Sequence, residues 1–179
     1  MKLDRQLEII INEAANYDVP PIVVEKAIAP VLKIFAQQLQ FLEYYVLQNL
    51  AEEWVLTTIA NPQLKQTKNV IYAFASVRDA ATFSGKTNPD LMAMPILVAQ
   101  LLFKLFSLQQ VDSIIFLEDS QNLDRGIEVE RSHLLQLIQQ QIQQLNNLPP
   151  DLAWVELGRY KITLKLYYLC TMGKTVFYF

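Results

Sequence analysis

The chain has 179 residues, of which 52% are hydrophobic and 18% charged, so a single buried core is expected and disorder is not. Its 15 basic and 18 acidic residues give a formal net charge of −3, which excludes a general attraction to nucleic acid or anionic membranes. Cys170 is the only cysteine, which excludes an intrachain disulfide and a multi-cysteine metal site. The charged N-terminal residues do not resemble a secretory signal, and we expect a cytoplasmic protein.

Two helices are predicted in the first fifty residues. The spacing of Leu7, Ile10, Ile11 and Ala14 predicts a helix over 4–16, which the following Pro20–Pro21 pair would end. A longer helix is predicted over 22–50, with a possible kink at Pro30. Its apolar positions alternate by threes and fours, as in a helix-packing seam. These seam residues are Ile28, Leu32, Phe35, Leu39, Leu42 and Val46. Whether the seam packs within this chain or against another chain stays open.

The remaining elements alternate between strands and helices. Residues 54–60 and 69–76 are rich in β-formers and predict an antiparallel hairpin or two neighbouring strands. An apolar helix is predicted over 89–108; a membrane span there is disfavoured by Gln100, Lys104 and the strand that follows. The continuous apolar middle of 111–119 predicts a central strand, and a helix follows over about 130–146. Further strands are predicted at 152–157, 159–169 and 175–179.

Together these elements predict a single α+β domain over 1–179. It would comprise a helical N-terminal segment, 1–50, and a sheet-containing core, 51–179. The sheet is expected to be mixed and largely antiparallel, with helical crossovers packed on it and two N-terminal helices.

Residues 80–87, AATFSGKT, fit a relaxed phosphate-loop pattern: a small residue, four others, Gly, Lys, and Ser or Thr. The residues that would contact phosphate and Mg²⁺ are Gly85, Lys86 and Thr87. We favour a different interpretation, in which Asn88 is an N-cap and Pro89 opens the helix, because a residue before proline is held out of helical geometry.

Acidic residues gather at the end of the predicted central strand, where ligands of sheets with parallel strands usually bind. Glu118 and Asp119 are candidate metal ligands, because carboxylate oxygens suit Mg²⁺ or Ca²⁺. Arg78 and Asp79 follow the strand 69–76 and are candidate catalytic residues. A solvated loop explains the same acidic residues, and we favour that interpretation.

His133 is the only histidine and follows Glu130 at the spacing that di-iron bundles use. Such sites need this pair twice, so a site of that kind is excluded within one subunit. His133 is also the one candidate for a catalytic imidazole. An exposed first helical turn is the favoured interpretation of both residues.

Basic and aromatic residues alternate over 159–178. This pattern suits a surface that binds single-stranded nucleic acid, but it also suits an outer strand with solvated lysines, which is the interpretation that we favour.

The helix over 130–146 carries an uncharged polar surface beside its apolar stripe. The surface residues are Gln136, Gln139, Gln140, Gln143 and Gln144. A solvent-exposed helix and a helix packed against a partner both explain this composition.

We therefore expect a non-enzymatic protein-interaction or assembly module that self-associates through helical surfaces as a homodimer or larger homo-oligomer, or that binds another protein. No cofactor is predicted, and neither nucleic acid nor membrane is an expected partner. One alternative is a nucleotide- or Mg²⁺-dependent enzyme that uses the degenerate loop at 80–87. A second alternative is a protein that binds an apolar small ligand between helices and sheet.

Overall fold

The structure is a computed structural model and describes residues 1–17, 19–61, 66–83, 90–120, 122 and 125–146. The helices are α1 (Leu3–Glu13), α2 (Pro21–Val23), α3 (Ala29–Ala36), α4 (Val77–Phe83), α5 (Val98–Ser107) and α6 (Arg131–Asn146). The strands are β1 (Glu43–Asn49), β2 (Thr57–Asn61), β3 (Gln66–Phe74), β4 (Leu91–Leu97), β5 (Ser113–Leu117) and β6 (Ile127–Glu130). A 3₁₀ turn, Ala14–Tyr17, follows α1, and a π-helical turn, Val24–Ile28, joins α2 to α3.

The described strands form one mixed sheet in the order β4-β1-β3-β5-β6, with β2 paired to β3 beside this path. Among the described strands, only β3 and β5 pair in parallel, in a register that places Phe74 opposite Leu117. The pairs β1–β3, β1–β4, β2–β3 and β5–β6 are antiparallel. The α+β fold with a mixed, largely antiparallel sheet and two N-terminal helices is therefore confirmed.

The two faces of the sheet are covered to different extents. One face packs into the main hydrophobic core, which includes residues of α1, α2, α3, α5 and α6. The other face carries a smaller cluster, in which Leu47, Phe74 and Leu117 pack with Ala80 of α4. Among the helices of the described ranges, none combines the length and apolar character needed to cross a bilayer.

The first N-terminal helix is confirmed, since α1 buries Leu7 and Ile10 as its spacing predicts. The second helical segment runs from Pro21 to Ala36, with the π-helical turn just before Pro30. A π-turn relieves the loss of the proline N–H and the clash of its ring with the preceding turn. The seam residues Ile28, Leu32, Phe35 and Leu39 are buried in the main core, so this part of the seam packs within the chain.

The prediction that this helix continues to residue 50 was wrong. The helix ends at Ala36, and Glu43–Asn49 form β1 between β4 and β3. The run Tyr44-Tyr45-Val46 consists of β-branched and aromatic residues, which pack well on a pleated sheet. The apparent helical spacing of Leu42 and Val46 was a coincidence of composition, because Val46 is buried as a strand residue.

The predicted helix 89–108 was wrong in its first half. Leu91–Leu97 form strand β4, and the helix begins only at Val98. Pro95 is the physical reason, because proline breaks a helix interior but is tolerated in an edge strand. With no helix starting at Pro89, the assignment of Asn88 as its N-cap and Pro89 as its first residue is also wrong.

The other predicted elements within the described ranges are confirmed. The strands 54–60 and 69–76 correspond to the antiparallel pair β2–β3, and the strand 111–119 corresponds to β5 between β3 and β6. The helix 130–146 corresponds to α6. Two short elements, α4 and β6, were not predicted. The three strands predicted after residue 150 lie outside the described residues.

Candidate functional site

The carboxyl ends of the parallel strands β3 and β5 bring the sequence-predicted polar residues to one edge of the sheet. The backbone N–H of Ala75 donates to the carbonyl of Leu117 at 3.1 Å, so the two chain segments leave the sheet side by side. Arg78 and Asp79 follow β3 on α4, whereas Glu118 and Asp119 follow β5 directly. The predicted proximity of these two segments is therefore what the structure shows.

Asp79 is the buried carboxylate at this edge, with a residue exposure of 6%. Its Oδ2 accepts hydrogen bonds from the hydroxyl of Ser76 at 2.7 Å and the hydroxyl of Ser120 at 2.8 Å. The Asp79 backbone N–H donates to Ser76 Oγ at 3.2 Å, which is how an N-cap serine satisfies the third residue of a helix. Ser76 and Asp79 thus cap the start of α4, and Asp79 ties this helix to the residues after β5.

Glu118 accepts hydrogen bonds from a different part of the chain. Its Oε1 accepts from the backbone N–H of Gln40 at 2.7 Å and from the hydroxyl of Tyr44. The Tyr44 hydroxyl in turn accepts from the N–H of Phe41 at 3.2 Å. Burial, together with the hydrogen bond to Glu118, raises the pKa of Tyr44 far above its ordinary value of 10.0. These contacts hold the turn between α3 and β1 against the end of β5.

Asp79 and Glu118 therefore have separate hydrogen-bond partners. Asp79 binds the serine hydroxyls of two loops, whereas Glu118 binds the turn that precedes β1. Arg78 and Asp119 are exposed. Within the described ranges, no group of three His, Cys, Asp or Glu side chains could hold a metal ion. Catalytic roles for Arg78 and Asp79, and a metal-binding role for Glu118 and Asp119, stay predictions from the sequence.

The possible phosphate loop is only partly described. Its first residues, 80–83, belong to the last turns of α4, and the chain after Asp90 is strand β4. A phosphate loop instead joins a preceding strand to a following helix. Gly85, Lys86 and Thr87 lie outside the described residues, and so their binding role stays a prediction.

His133 lies in the first turn of α6 and is exposed, as the favoured interpretation predicts. Its ring meets that of Phe35 edge to face, with 5.4 Å between centroids. The placement of Glu130 in the same helical turn was wrong, because Glu130 is the last residue of β6, where its carboxylate accepts a hydrogen bond from Lys68 Nζ at 2.6 Å. A catalytic role for the imidazole therefore also stays a prediction.

Sequence reasoning missed a charged network on the sheet face that lies opposite the main hydrophobic core. Lys68 Nζ contacts both Glu128, at 3.1 Å, and Glu130, at 2.6 Å, and the Ser113 hydroxyl donates to Glu128 at 2.7 Å. The hydrogen bond and charge of Lys68 lower the pKa of Glu130, and the hydrogen bonds that Lys68 donates to Glu130 and Glu128 raise the pKa of Lys68. The network joins three strands, and its only sequence signal was the alternation Ile-Glu-Val-Glu in 127–130.

The glutamine surface of α6 lies where the sequence predicted it. All five residues, Gln136, Gln139, Gln140, Gln143 and Gln144, are exposed. The opposite side of the helix buries Leu134, Ile138 and Ile142 in the main core. We call the five exposed side chains the glutamine face. It is the part of α6 that a partner could reach.

A second exposed surface was not predicted, because its residues were assigned to a helix. Within the described part of the chain, β4 is the end strand of the sheet, and it carries no charged residue along LMAMPIL. Met92 and Met94 are 44% and 39% exposed. The residue Pro95 was the available signal for an edge strand.

Comparisons with known proteins add no relative: no protein-family model matches the chain, and neither the curated proteins nor the solved structures contain a significant match.

Proposed function

We propose that the protein is a non-enzymatic, cytoplasmic interaction or assembly module that associates with protein through the glutamine face of α6. The observation that carries this proposal is the contrast between the two sides of α6. One side is fixed in the core by Leu134, Ile138 and Ile142, and the other presents five uncharged amides to the surroundings.

An uncharged amide surface is well suited to contact with another protein. Burying an amide costs less free energy than burying an ion, provided that the amide finds a hydrogen-bond partner. Each glutamine side chain both donates and accepts, so two such surfaces can satisfy one another. Charged residues are depleted at the centres of protein interfaces, and from Ser132 to Asn146 none is present.

The helical seam gives this proposal less support than the sequence suggested. Residues Ile28, Leu32, Phe35 and Leu39 are used inside the chain, against other parts of the main core. Self-association through helical surfaces therefore depends on the glutamine face. The expected partner is a helix of a second copy or of another protein, placed along α6.

Glutamate substitutions on the glutamine face are expected to weaken this association. In Gln136→Glu, Gln140→Glu and Gln143→Glu combined, three carboxylates would have to be desolvated and, in a homo-oligomer, would oppose one another. We expect the association constant from sedimentation equilibrium to fall at least tenfold, and more at low salt than at high salt.

The matched control is Gln37→Glu with Gln38→Glu, since these two glutamines are also exposed but lie at the end of α3. Association of the control should equal that of the wild type, and both variants should keep the wild-type unfolding transition. Equal association in all three proteins would overturn a role for the glutamine face.

The enzymatic alternative is tested by adding Mg²⁺ and nucleotide at millimolar concentration. Because a ligand that binds the native state must stabilise it, a nucleotide enzyme would show a raised melting temperature. We expect no change with either ligand. A rise that is abolished by Lys86→Ala would restore the interpretation of 80–87 as a phosphate loop.

A further inference from the structure

The outer edge of β4 has properties that isolated sheet edges usually avoid. The strand is seven residues long, entirely apolar and terminal in the strand order, and no described residue pairs with its outer side. Native proteins generally protect such an edge with charged residues, because unpaired backbone groups readily bind another strand. Among the described residues of β4, only Pro95 is of a protecting type.

The direction of the β4 backbone follows from the hydrogen bonds of its neighbour β1. The carbonyl of Leu47 accepts from the N–H of Val55 at 2.9 Å, so it points away from β4. The backbone groups of Tyr45, two residues earlier in β1, also point away from β4. Tyr45 and the residue opposite it, Pro95, therefore form a non-hydrogen-bonded pair. The backbone of Pro95 therefore faces outward. So do those of Leu91, Ala93 and Leu97, which carry N–H groups.

We propose that β4 pairs antiparallel with β4 of a second copy, in a register centred on Met94, so that the two sheets become continuous. This inference rests on the self-association proposed above and adds an interface at the sheet edge. In this register each β4 residue meets a β4 residue of the other copy. Met94 meets itself and Met92 meets Ile96, while on the other face Leu91 meets Leu97 and Ala93 meets Pro95.

The register is self-complementary in both side chains and backbone. Every cross-strand pair is apolar, which favours pairing, and no like charges oppose each other. The outward N–H and carbonyl groups would form about six hydrogen bonds between the strands, even though each Pro95 lacks a donor. A shift of two residues would leave Leu91 or Leu97 opposite a residue outside β4, with fewer bonds. The exposed side chains of Met92 and Met94 would become covered.

The opposite end of the sheet is not suited to the same pairing. Strand β6 carries Glu128 and Glu130, and both already share Lys68. Two copies of β6 placed side by side would bring glutamates together, which is destabilising. If only β4 pairs, each copy contributes the same edge to one contact. The product is a closed two-fold dimer and not a filament.

The register is tested by disulfide trapping in a chain with Cys170→Ser. Met94 would lie opposite its own copy in a non-hydrogen-bonded pair, with about 4.5 Å between Cα atoms, which is within disulfide range. Met94→Cys is therefore expected to form covalent dimers under mild oxidation, in most of the protein. Met92→Cys is the matched control because Met92 is equally exposed. Its two copies would lie about 13 Å apart and should not crosslink. Mixing Met92→Cys with Ile96→Cys should give a mixed disulfide.

A charge at the centre of the register provides an independent measurement. Met94→Lys places two lysines opposite one another, so the dimer association constant from sedimentation should fall at least tenfold, with an unchanged unfolding transition. Crosslinking of Met94→Cys no greater than that of Met92→Cys, with association that still depends on the glutamine face, would overturn the β4 interface alone. The role of the glutamine face alone would be overturned if Met94→Cys crosslinks efficiently while the three glutamate substitutions on α6 leave the association constant from sedimentation unchanged.

Discussion

Asp79→Ala is expected to lower the free energy of unfolding by about 2 kcal/mol, because it removes the buried acceptor of two partly buried hydroxyl hydrogen bonds. The Ser76 and Ser120 hydroxyls would lose their carboxylate partner, and α4 would lose part of its N-terminal cap. Urea unfolding followed by circular dichroism measures the effect. Ser120→Ala should cost less, because it removes one of the two donors and leaves the cap between Ser76 and Asp79 intact.

The sign of this effect separates a structural carboxylate from a catalytic one. Active-site carboxylates often reduce stability, so that their removal stabilises the fold. A more stable Asp79→Ala would therefore contradict the structural role and favour the enzymatic alternative. Arg78→Ala is the control, since it is a neighbouring exposed position of α4 and should change stability by less than about 0.5 kcal/mol. A double-mutant cycle should also show coupling between Asp79 and Ser120, because they are in direct contact.

The elements that could be predicted from sequence were those whose local pattern agrees with their environment in the fold. Helix α6 has a regular apolar stripe, which packs into the core as its 3.6-residue period requires. Strand β5 is continuously apolar after Ser113, because both of its faces are covered there. In each case the burial that forms the element is visible in its own residues.

The elements that were predicted wrongly have apolar patterns that are compatible with both a helix and a strand. Strand β1 has apolar residues in consecutive and alternate positions, because it lies between β4 and β3 and uses both faces. Strand β4 has an apolar composition that also suits a buried helix, and only Pro95 distinguishes the two. In such segments, pairing with neighbouring strands selects the strand over the helix, and the local sequence does not show which strands will be neighbours.

The location of the site at the carboxyl ends of β3 and β5 was predictable, but its hydrogen bonds were not. The carboxyl ends of parallel strands pointed to Asp79 and Glu118. Ser76 could have been recognised as an N-cap, because Ser-Val-Arg-Asp is a capping-box pattern that follows a strand. The contact with Ser120 joins residues 41 positions apart and depends on the pairing of β3 with β5. No local pattern could supply it.

Tyr44→Phe is expected to destabilise the protein by about 1–3 kcal/mol at neutral pH, because the buried hydroxyl both donates to Glu118 and accepts from the N–H of Phe41. Phenylalanine would preserve the ring contact with Phe116, whose centroid lies 4.9 Å away. The variant therefore isolates the hydroxyl from the packing. Tyr45→Phe, on the opposite face of β1, is the control for loss of a tyrosine hydroxyl and should have a smaller effect.

The same hydroxyl makes a pH-dependent contribution whose sign follows from its raised pKa. Above the ordinary tyrosine pKa of 10.0 the unfolded chain releases the Tyr44 proton, whereas the folded chain retains it because burial and Glu118 disfavour the phenolate. The folded state then binds more protons, so stability falls as pH rises above 10.0. Below that pH the contribution is constant and fully present.

The stability difference between wild type and Tyr44→Phe should therefore shrink by up to about 1.4 kcal/mol per pH unit in alkaline urea titrations. Lys68 and Tyr72, whose pKa values are also raised, contribute equally to both proteins and cancel in this difference. A difference that stays constant from pH 7 to 11 would show that Tyr44 ionises as readily in the folded chain as in the unfolded chain, contrary to its burial against Glu118.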